Sequence, residues 1–321
     1  MRAVLIVNPT ATSTTAAGRD LLAHALKSRL ELTVEQTTHR GHGAEIARAA
    51  VSDGVDLIVV HGGDGTVSAA VNGMLGQPGS PAPPHLPAVA VVPGGSANVL
   101  ARSLGIPPDP IDATNMLIEL LDHHGRQPNW RRISLIDCGE RWAVLNAGMG
   151  VDAEVVAAVE AQRDKGVKVT PSRYWRVAVP AVVAYSRREP RLTVQLPNRD
   201  PIPGVHFAWV SNTSPWTYSN NRPMHTNPSC SFDTGLGVFA LTDMKVIPTL
   251  KLLRQMLSKH PKLEAKQLIR DDDTACLRIT CDGPPIASQI DGDYLGVRET
   301  MTFRAVLGAL PVVAPPPKKP L

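Results

Sequence analysis

The sequence predicts two architectures in series: a doubly wound parallel α/β sheet over residues 1–128, then an antiparallel β domain over residues 129–310. Two observations carry this. From Val4 to His123, apolar runs rich in β-branched residues alternate with stretches of helical spacing, as in a parallel sheet covered by helices. From Trp130 the pattern changes to short strand-like runs separated by turn residues, which marks an antiparallel domain.

The first strand, Val4–Val7, ends at Asn8-Pro9, and the small polar run Thr10–Ala17 predicts a loop. A helix over Asp20–Leu30 and a strand over Leu32–Thr37 follow, the latter ending in Thr37-Thr38-His39-Arg40-Gly41-His42-Gly43. Next come a helix over Ala44–Ser52, a strand at Leu57–Val60, a helix over Val67–Leu75 opened by Thr66, and a Pro/Gly-rich loop from Gly76 to Pro87. A strand at Val89–Val92 leads to a helix over Asn98–Leu104, for which Ser96 is the expected cap. Asp112–His123 is amphipathic, with Ile111, Leu117, Ile118 and Leu121 on one stripe.

Beyond Trp130 the expected strands are Ile133–Asp137, Trp142–Asn146, Leu192–Leu196, Val205–Ser211, Gly237–Thr242, Cys276–Cys281 and Met301–Val306. Helical stretches at Asp152–Gln162, Tyr174–Tyr185 and Thr249–Lys259 interrupt them. Residues 311–321, rich in Pro and Lys, predict a disordered tail.

Chemistry concentrates where two buried strands run into glycine. Leu57-Ile58-Val59-Val60 leads to Gly62-Gly63-Asp64-Gly65-Thr66, and Val89-Ala90-Val91-Val92 leads to Pro93-Gly94-Gly95-Ser96-Ala97-Asn98. A strand, a glycine turn and a helix start form an anion site, because backbone N–H groups can approach a phosphate without a Cβ intervening. One such loop alone is more often an ordinary turn. Two of them put two helix N-termini on one edge of a sheet, where ligands bind in such folds. Asp64 beside phosphate oxygens is repelled unless a cation or a proton intervenes, so the loop points to a nucleotide with Mg²⁺ and to phosphoryl transfer. Neither loop matches the P-loop or the dinucleotide fingerprint.

Hydrophobic residues at 43% and charged residues at 19% describe a soluble globular chain, and a formal charge of +4 argues against nucleic acid as a partner. Charge is uneven, however: Arg163–Arg191 holds eight Lys/Arg against two acids, a face that could meet anionic headgroups. Cys138, Cys230, Cys276 and Cys281 lack metal-ligand spacing and are expected to be free thiols in a reducing cytosol. The N-terminus reads as a strand rather than a signal peptide, and no apolar run reaches the roughly 20 residues of a spanning helix.

Taken together, the motifs resemble those of the diacylglycerol kinase catalytic-domain family, which includes bacterial lipid kinases and sphingosine kinases. The resemblance runs through Asn8-Pro9, the Gly62–Thr66 loop with Asn72-Gly73, the Pro93–Arg102 segment, Asn146–Ala153, Phe232–Leu236 and Asp291–Asp293. It implies a Rossmann-like nucleotide domain, a C-terminal β-sandwich that takes the lipid, a site in the cleft between them, and the cofactors ATP and Mg²⁺. By the same resemblance, Asn8, Thr38, Gly62, Gly63, Asp64, Gly65, Thr66, Gly94, Gly95, Ser96 and Asn98 would hold the nucleotide. Asp64 would orient phosphates and metal-bound water or take the acceptor proton. Asp233 would hold a structural Mg²⁺, and Asp293 would act as general base.

The implied reaction is transfer of the γ-phosphoryl group of ATP to the hydroxyl of diacylglycerol or a similar lipid alcohol. The chain would work in the cytoplasm, peripheral to the inner membrane face, with a homodimer left open. Two positions depart from the family: Val99 stands where an Asp is usual, and Asp293 where a Glu is usual. A sphingoid base, another lipid alcohol or NAD is therefore the alternative acceptor. A catalytically silent nucleotide- or lipid-binding protein is the alternative class. His39 and His42 are expected to be solvated or capping, His61 to pack under the glycine loop, and Asp271-Asp272-Asp273 to form an exposed turn. The segment from Tyr174 to Arg188 is read either as core packing or as a lid that touches the membrane.

Overall fold

The computed structural model describes residues 1–81, 83–124, 130–164, 171–219 and 222–317. The chain forms two compact units, the first comprising Met1–Leu135, Glu140–Val144 and Gly308–Leu321 and the second Ile136–Gly139 and Leu145–Leu307. The expected boundary at 128/129 falls outside the described residues.

The first unit runs β1 (Arg2–Val7), α1 (Ala16–Lys27), β2 (Glu31–Gln36), α2 (His42–Ser52), β3 (Leu57–Gly62), α3 (Asp64–Leu75), β4 (Ala88–Pro93), α4 (Val99–Ser103), α5 (Pro110–His124), the start of β5 (Arg131–Asp137) and β6 (Trp142–Ala143). Its parallel strands are ordered β2-β1-β3-β4. Every residue of β3 and β4 is buried, which explains their unbroken apolar runs, whereas the edge strand β2 keeps exposed positions between half-buried ones. The chain steps from β1 outward to β2, then back across to β3. This reversal makes the carboxyl ends of β1 and β3 the switch point of the sheet.

The second unit runs β7 (Asn146–Met149), α6 (Val151–Asp164), α7 (Pro171–Tyr185), β8 (Leu192–Gln195), β9 (Ile202–Val205), β10 (Phe207–Ser211), β11 (Thr217–Ser219), β12 (Arg222–Met224), β13 (Leu236–Leu241), α8 (Val246–Met256), β14 (Leu268–Thr274), β15 (Cys276–Cys281), β16 (Ile286–Ile290), β17 (Asp293–Arg298) and most of β18 (Thr300–Val312). One antiparallel sheet is ordered β14-β13-β10-β7-β16-β17, and facing strands β18-β15-β8-β9 are the antiparallel end of the ten-stranded sheet whose parallel end is β2-β1-β3-β4. This is the expected β-sandwich. Phe207, Phe239, Tyr185, Leu252 and Met256 share one apolar cluster of this unit, against which Trp209 and Trp216 pack, their rings stacked at 4.4 Å.

Several expectations are corrected. The Trp142–Asn146 run is two short strands, because the Asp291 carboxylate accepts the N–H groups of Leu145 and Asn146 (2.8 and 3.1 Å) and bends the chain there. Asp271-Asp272-Asp273 is no turn but the end of β14, paired with β13. Its charges are met by neighbours: Asp271 by Arg199, Asp272 by Asn227 and Ser229 N–H, and Asp273 by Gly235 N–H. The tail begins later than residue 311, since β18 runs to Val312 and Val313 N–H donates to Val89 O. Strands β9, β11, β12, β14, β16 and β17 carry no alternation that the sequence displays; β16, for instance, is buried at all five positions despite Ser288 and Gln289. None of the four cysteines is in a disulfide, and burial pushes the Cys230 thiol up to about 12, far from reactivity.

Candidate functional site

The switch point gathers most of the residues singled out above. Asn8 follows β1, and its Nδ2 donates to Thr66 Oγ1 (3.0 Å), while its backbone N–H donates to His61 O (3.0 Å). Asn8 Oδ1 accepts from Thr10 N–H and Oγ1–H (3.0 and 2.8 Å), which turns the chain out of the sheet. Asn8 therefore ties the end of β1 to the start of α3. Thr38 lies on the same carboxyl edge beyond β2, exposed, its backbone N–H donating to His42 Nδ1 (3.1 Å). His39 and His42 stack at 4.7 Å there, and His39 faces Glu45 at 3.2 Å, so both are loop-capping histidines.

The two glycine loops lie against each other. A Cβ on Gly95 would sit 2.6 Å from Gly63 Cα, one on Gly94 3.0 Å from Gly62 Cα, and one on Gly62 2.8 Å from Thr66 Oγ1. At Gly94 and Gly95 the close neighbour is backbone of the first loop; at Gly62 it is the Thr66 side chain. Gly65 differs: nothing lies within 4 Å of its Cβ position, and it is exposed in the first turn of α3. A phosphate group can therefore approach this helix N-terminus at Gly65.

Asp64 opens α3, which starts there rather than after Thr66. Its carboxylate accepts Val99 N–H at Oδ2 and Leu100 N–H at Oδ1, both at 3.0 Å. Asp64, not Ser96, thus caps α4 across 35 residues of sequence; Ser96 is exposed at the loop tip. The residue before the helix is Asn98, left-handed at φ 48°. Its side chain closes the loop on Gly95, donating to Gly95 O (2.7 Å) and accepting Gly95 N–H (2.9 Å). Asn tolerates this conformation because its short amide can bond locally. Beneath the loop His61 is buried, and its Nδ1–H donates to Val92 O (3.2 Å). Burial lowers its pKa, so it stays neutral at pH 7 with Nε2 facing Thr14 Oγ1 (3.3 Å).

For the nucleotide, the donor set fits: an exposed glycine in a helix N-terminal turn, flanked by Asp64 and by the loop that Asn98 shapes. For Mg²⁺ the picture is narrower. No three His, Cys, Asp or Glu side chains among the described residues come together as a cage, but Mg²⁺ is commonly held by one or two carboxylates together with substrate phosphates. A carboxylate has about four acceptor positions, so capping α4 and serving metal-bound water are compatible.

The second unit holds the remaining assigned acids. Asp233 is exposed in the turn before β13, its N–H donating to Ser231 Oγ (3.2 Å). Asp293 opens β17, half-buried, after a turn in which Asp291 and Gly292 are left-handed at φ 50° and 80°. Gln289 Oε1 accepts Gly292 N–H (2.9 Å), and Gln289 Nε2 donates to Asn146 Oδ1 (3.0 Å) and Asp152 Oδ2 (2.9 Å). Asp152 and Gln289 were not assigned a role from sequence. The only local signal was Asp152 following a Gly-Met-Gly turn, and its partner lies 137 residues away.

Burial pushes Asp152 from the ordinary 3.8 up to about 6, against the lowering effect of Gln289's donation. A carboxyl whose pKa rises on folding favours the native state at low pH. That contribution is complete below about pH 4 and is lost as pH climbs through 6. Asp152→Asn is therefore expected to be more stable than wild type at pH 8, by at most ~3 kcal/mol. The gap should close at pH 4, as read by urea unfolding at both pH values.

Asn72 and Gly73 are structural. Asn72 accepts Trp142 N–H (2.9 Å) and donates to Trp142 O (3.0 Å), while a Cβ on Gly73 would fall 2.1 Å from Ala44 O of α2.

Comparison with known proteins bears out the resemblance. Residues 2–125 match the family model described as diacylglycerol kinase catalytic domain. A protein of Stenotrophomonas maltophilia named "Probable lipid kinase YegS-like" is 26% identical over 293 residues, covering 88% of this chain and 86% of its own length. A diacylglycerol kinase of Staphylococcus carnosus is 29% identical over 126 residues; that match spans 37% of each protein. Among solved structures, a diacylglycerol kinase from Bacillus anthracis superposes with TM-score 0.71 at 16% identity, over 98% of this chain and 97% of that one. Yeast NADH kinase shares the fold more distantly, with TM-score 0.53 at 10% identity over 97% of this chain and 82% of that one.

Proposed function

Given an N-terminal segment that matches the diacylglycerol kinase catalytic domain, we propose that this chain is an ATP-dependent lipid kinase. It moves the γ-phosphoryl group to the hydroxyl of diacylglycerol or a similar lipid alcohol. The observation that carries the reading is the switch point itself: two glycine loops packed backbone to backbone, with Asp64 and the open Gly65 position at the start of α3. Mg²⁺, held by Asp64 together with the phosphates, would supply neutralisation of phosphate charge.

The chain's own residues do the positioning. The N-terminal turn of α3 receives phosphate at Gly65, Asn98 holds the second loop in shape, and Asp64 holds the two loops in register through α4. Asp293 is the group that accepts the lipid hydroxyl proton, and Asp233 belongs to a structural cation site. The protein acts at the membrane surface from the cytoplasmic side.

The test is phosphate incorporation from γ-labelled ATP into a panel of acceptors in mixed micelles: diacylglycerol, a sphingoid base, a polyprenol and NAD. Label in diacylglycerol or another lipid alcohol, lost in Asp293→Ala, is the expected result; label in NAD alone would overturn it. The departures at Val99 and Asp293 favour a second reading in which the acceptor is a lipid alcohol other than diacylglycerol. The same panel separates the two.

A further inference from the structure

Eleven large apolar side chains are exposed among the described residues, and four of them sit together on α8 and its C-cap: Val246 (64%), Ile247 (70%), Leu250 (58%) and Leu257 (37%). Isolated exposed apolar residues are ordinary; a cluster on one helix face is not. At 3.6 residues per turn, positions 246, 250 and 257 fall within about 40° of one another around the helix, with 247 beside them. The opposite side, Leu252 and Met256, is buried in the core of the second unit. The helix is thus amphipathic twice over, with one apolar face for the core and another facing out.

The charge around the outer face is predominantly basic, with Asp243 and Glu264 flanking it. From Met244 to Leu263 there are five Lys/Arg (245, 251, 254, 259 and 262) and no Asp or Glu. Lys245 pairs with Asp243 at 3.0 Å. Lys251, Arg254, Lys259 and Lys262 are exposed and have no ion pair among the described residues. Arg222 and Arg254 line the shallow groove beside Leu250 and Leu257. A second copy of so basic a face would be repelled. A fluid anionic surface satisfies both features, because separate aliphatic side chains can enter it while the cations remain among headgroups.

We propose that the outer face of α8 docks this chain on an anionic lipid bilayer, with Ile247 and Leu250 entering the headgroup–acyl boundary. The surface is distinct from the basic Arg163–Arg191 segment expected to do this from sequence, of which residues 165–170 lie outside the described ones. The inference adds a route to lipid for the proposed kinase but is tested without turnover, so either can fail while the other stands.

The experiment is flotation of the full chain with vesicles of phosphatidylcholine alone or with about one-third phosphatidylglycerol. Wild type is expected to bind the anionic vesicles about tenfold more tightly than the neutral ones, and Ile247→Asp/Leu250→Asp to lose about tenfold of that binding. Lys251→Gln/Arg254→Gln should remove the preference for phosphatidylglycerol. Unchanged thermal melting and ATP affinity establish that each variant is folded; Ile247→Ser serves if the double variant is not. Binding by the aspartate variant equal to wild type overturns the proposal, as does wild type with no anionic preference. A shift from dimer to monomer in the variant with vesicle binding intact also overturns it, and makes the ridge a self-association surface.

Discussion

Asp64→Asn is expected to cut phosphate transfer to lipid by about 10²–10³-fold, the usual scale for removing one preorganised charge at a reacting phosphoryl group. The asparagine keeps one oxygen for an N–H of Val99 or Leu100, so only one of the two 3.0 Å bonds to α4 is lost. That loss costs about 1–2 kcal/mol of stability, typical of a damaged helix cap. The protein should still fold, and melting curves would verify it. Two measurements distinguish capping from chemistry. ATP binding by calorimetry should depend on Mg²⁺ in wild type and lose that dependence in the variant. Turnover should fall far more than stability does. If the variant keeps turnover within about threefold of wild type, Asp64 is a cap for α4 alone and its charge has no part in the transfer.

Gly73→Ala is expected to be the most damaging single-methyl change in the first unit. The added Cβ would lie 2.1 Å from Ala44 O and 2.6 Å from Ala44 Cα, both backbone atoms of α2. No flexible side chain can yield there, so the two helices must separate. Overpacking of this kind typically costs 1–3 kcal/mol and here should reach about 3 kcal/mol or more. For a chain of this size that is a fall in melting temperature on the order of 10 °C. Gly65→Ala is the matched control, because nothing lies within 4 Å of its Cβ position. It should leave melting unchanged or slightly raised, since alanine favours a helix by about 1 kcal/mol over glycine. It should nevertheless weaken ATP binding, because the methyl group would fill the space offered to phosphate. Equal melting temperatures for Gly73→Ala and Gly65→Ala would contradict the close α2–α3 crossing.

Some of this is written in short stretches of chain. The runs at Val4–Val7, Leu57–Val60 and Val89–Val92 are buried strands because four or five apolar residues in a row have no solvent face to offer, and their structure follows that reading. The glycine turns after them are equally local, since strand, turn and helix adjoin in sequence. The same reasoning fails at β16, where five buried positions include Ser288 and Gln289. Those polar side chains are buried because Gly296 O, Asn146 and Asp152 pair with them, and no window of neighbouring residues contains those partners.

The glycine loops show the division most plainly. Residue order alone determines that two glycine turns exist, that they follow central strands, and that an acid sits in the first of them, because each of these depends on neighbours a few positions apart. Which atoms those residues serve was decided by the fold. Gly63 and Gly95 accommodate each other, Asp64 answers the N–H groups of a helix 35 residues on, and Gly73 makes room for the backbone of α2. Contacts between segments distant in sequence arise only when strands pair and helices cross, and a linear pattern of residue types holds no record of which segments will meet.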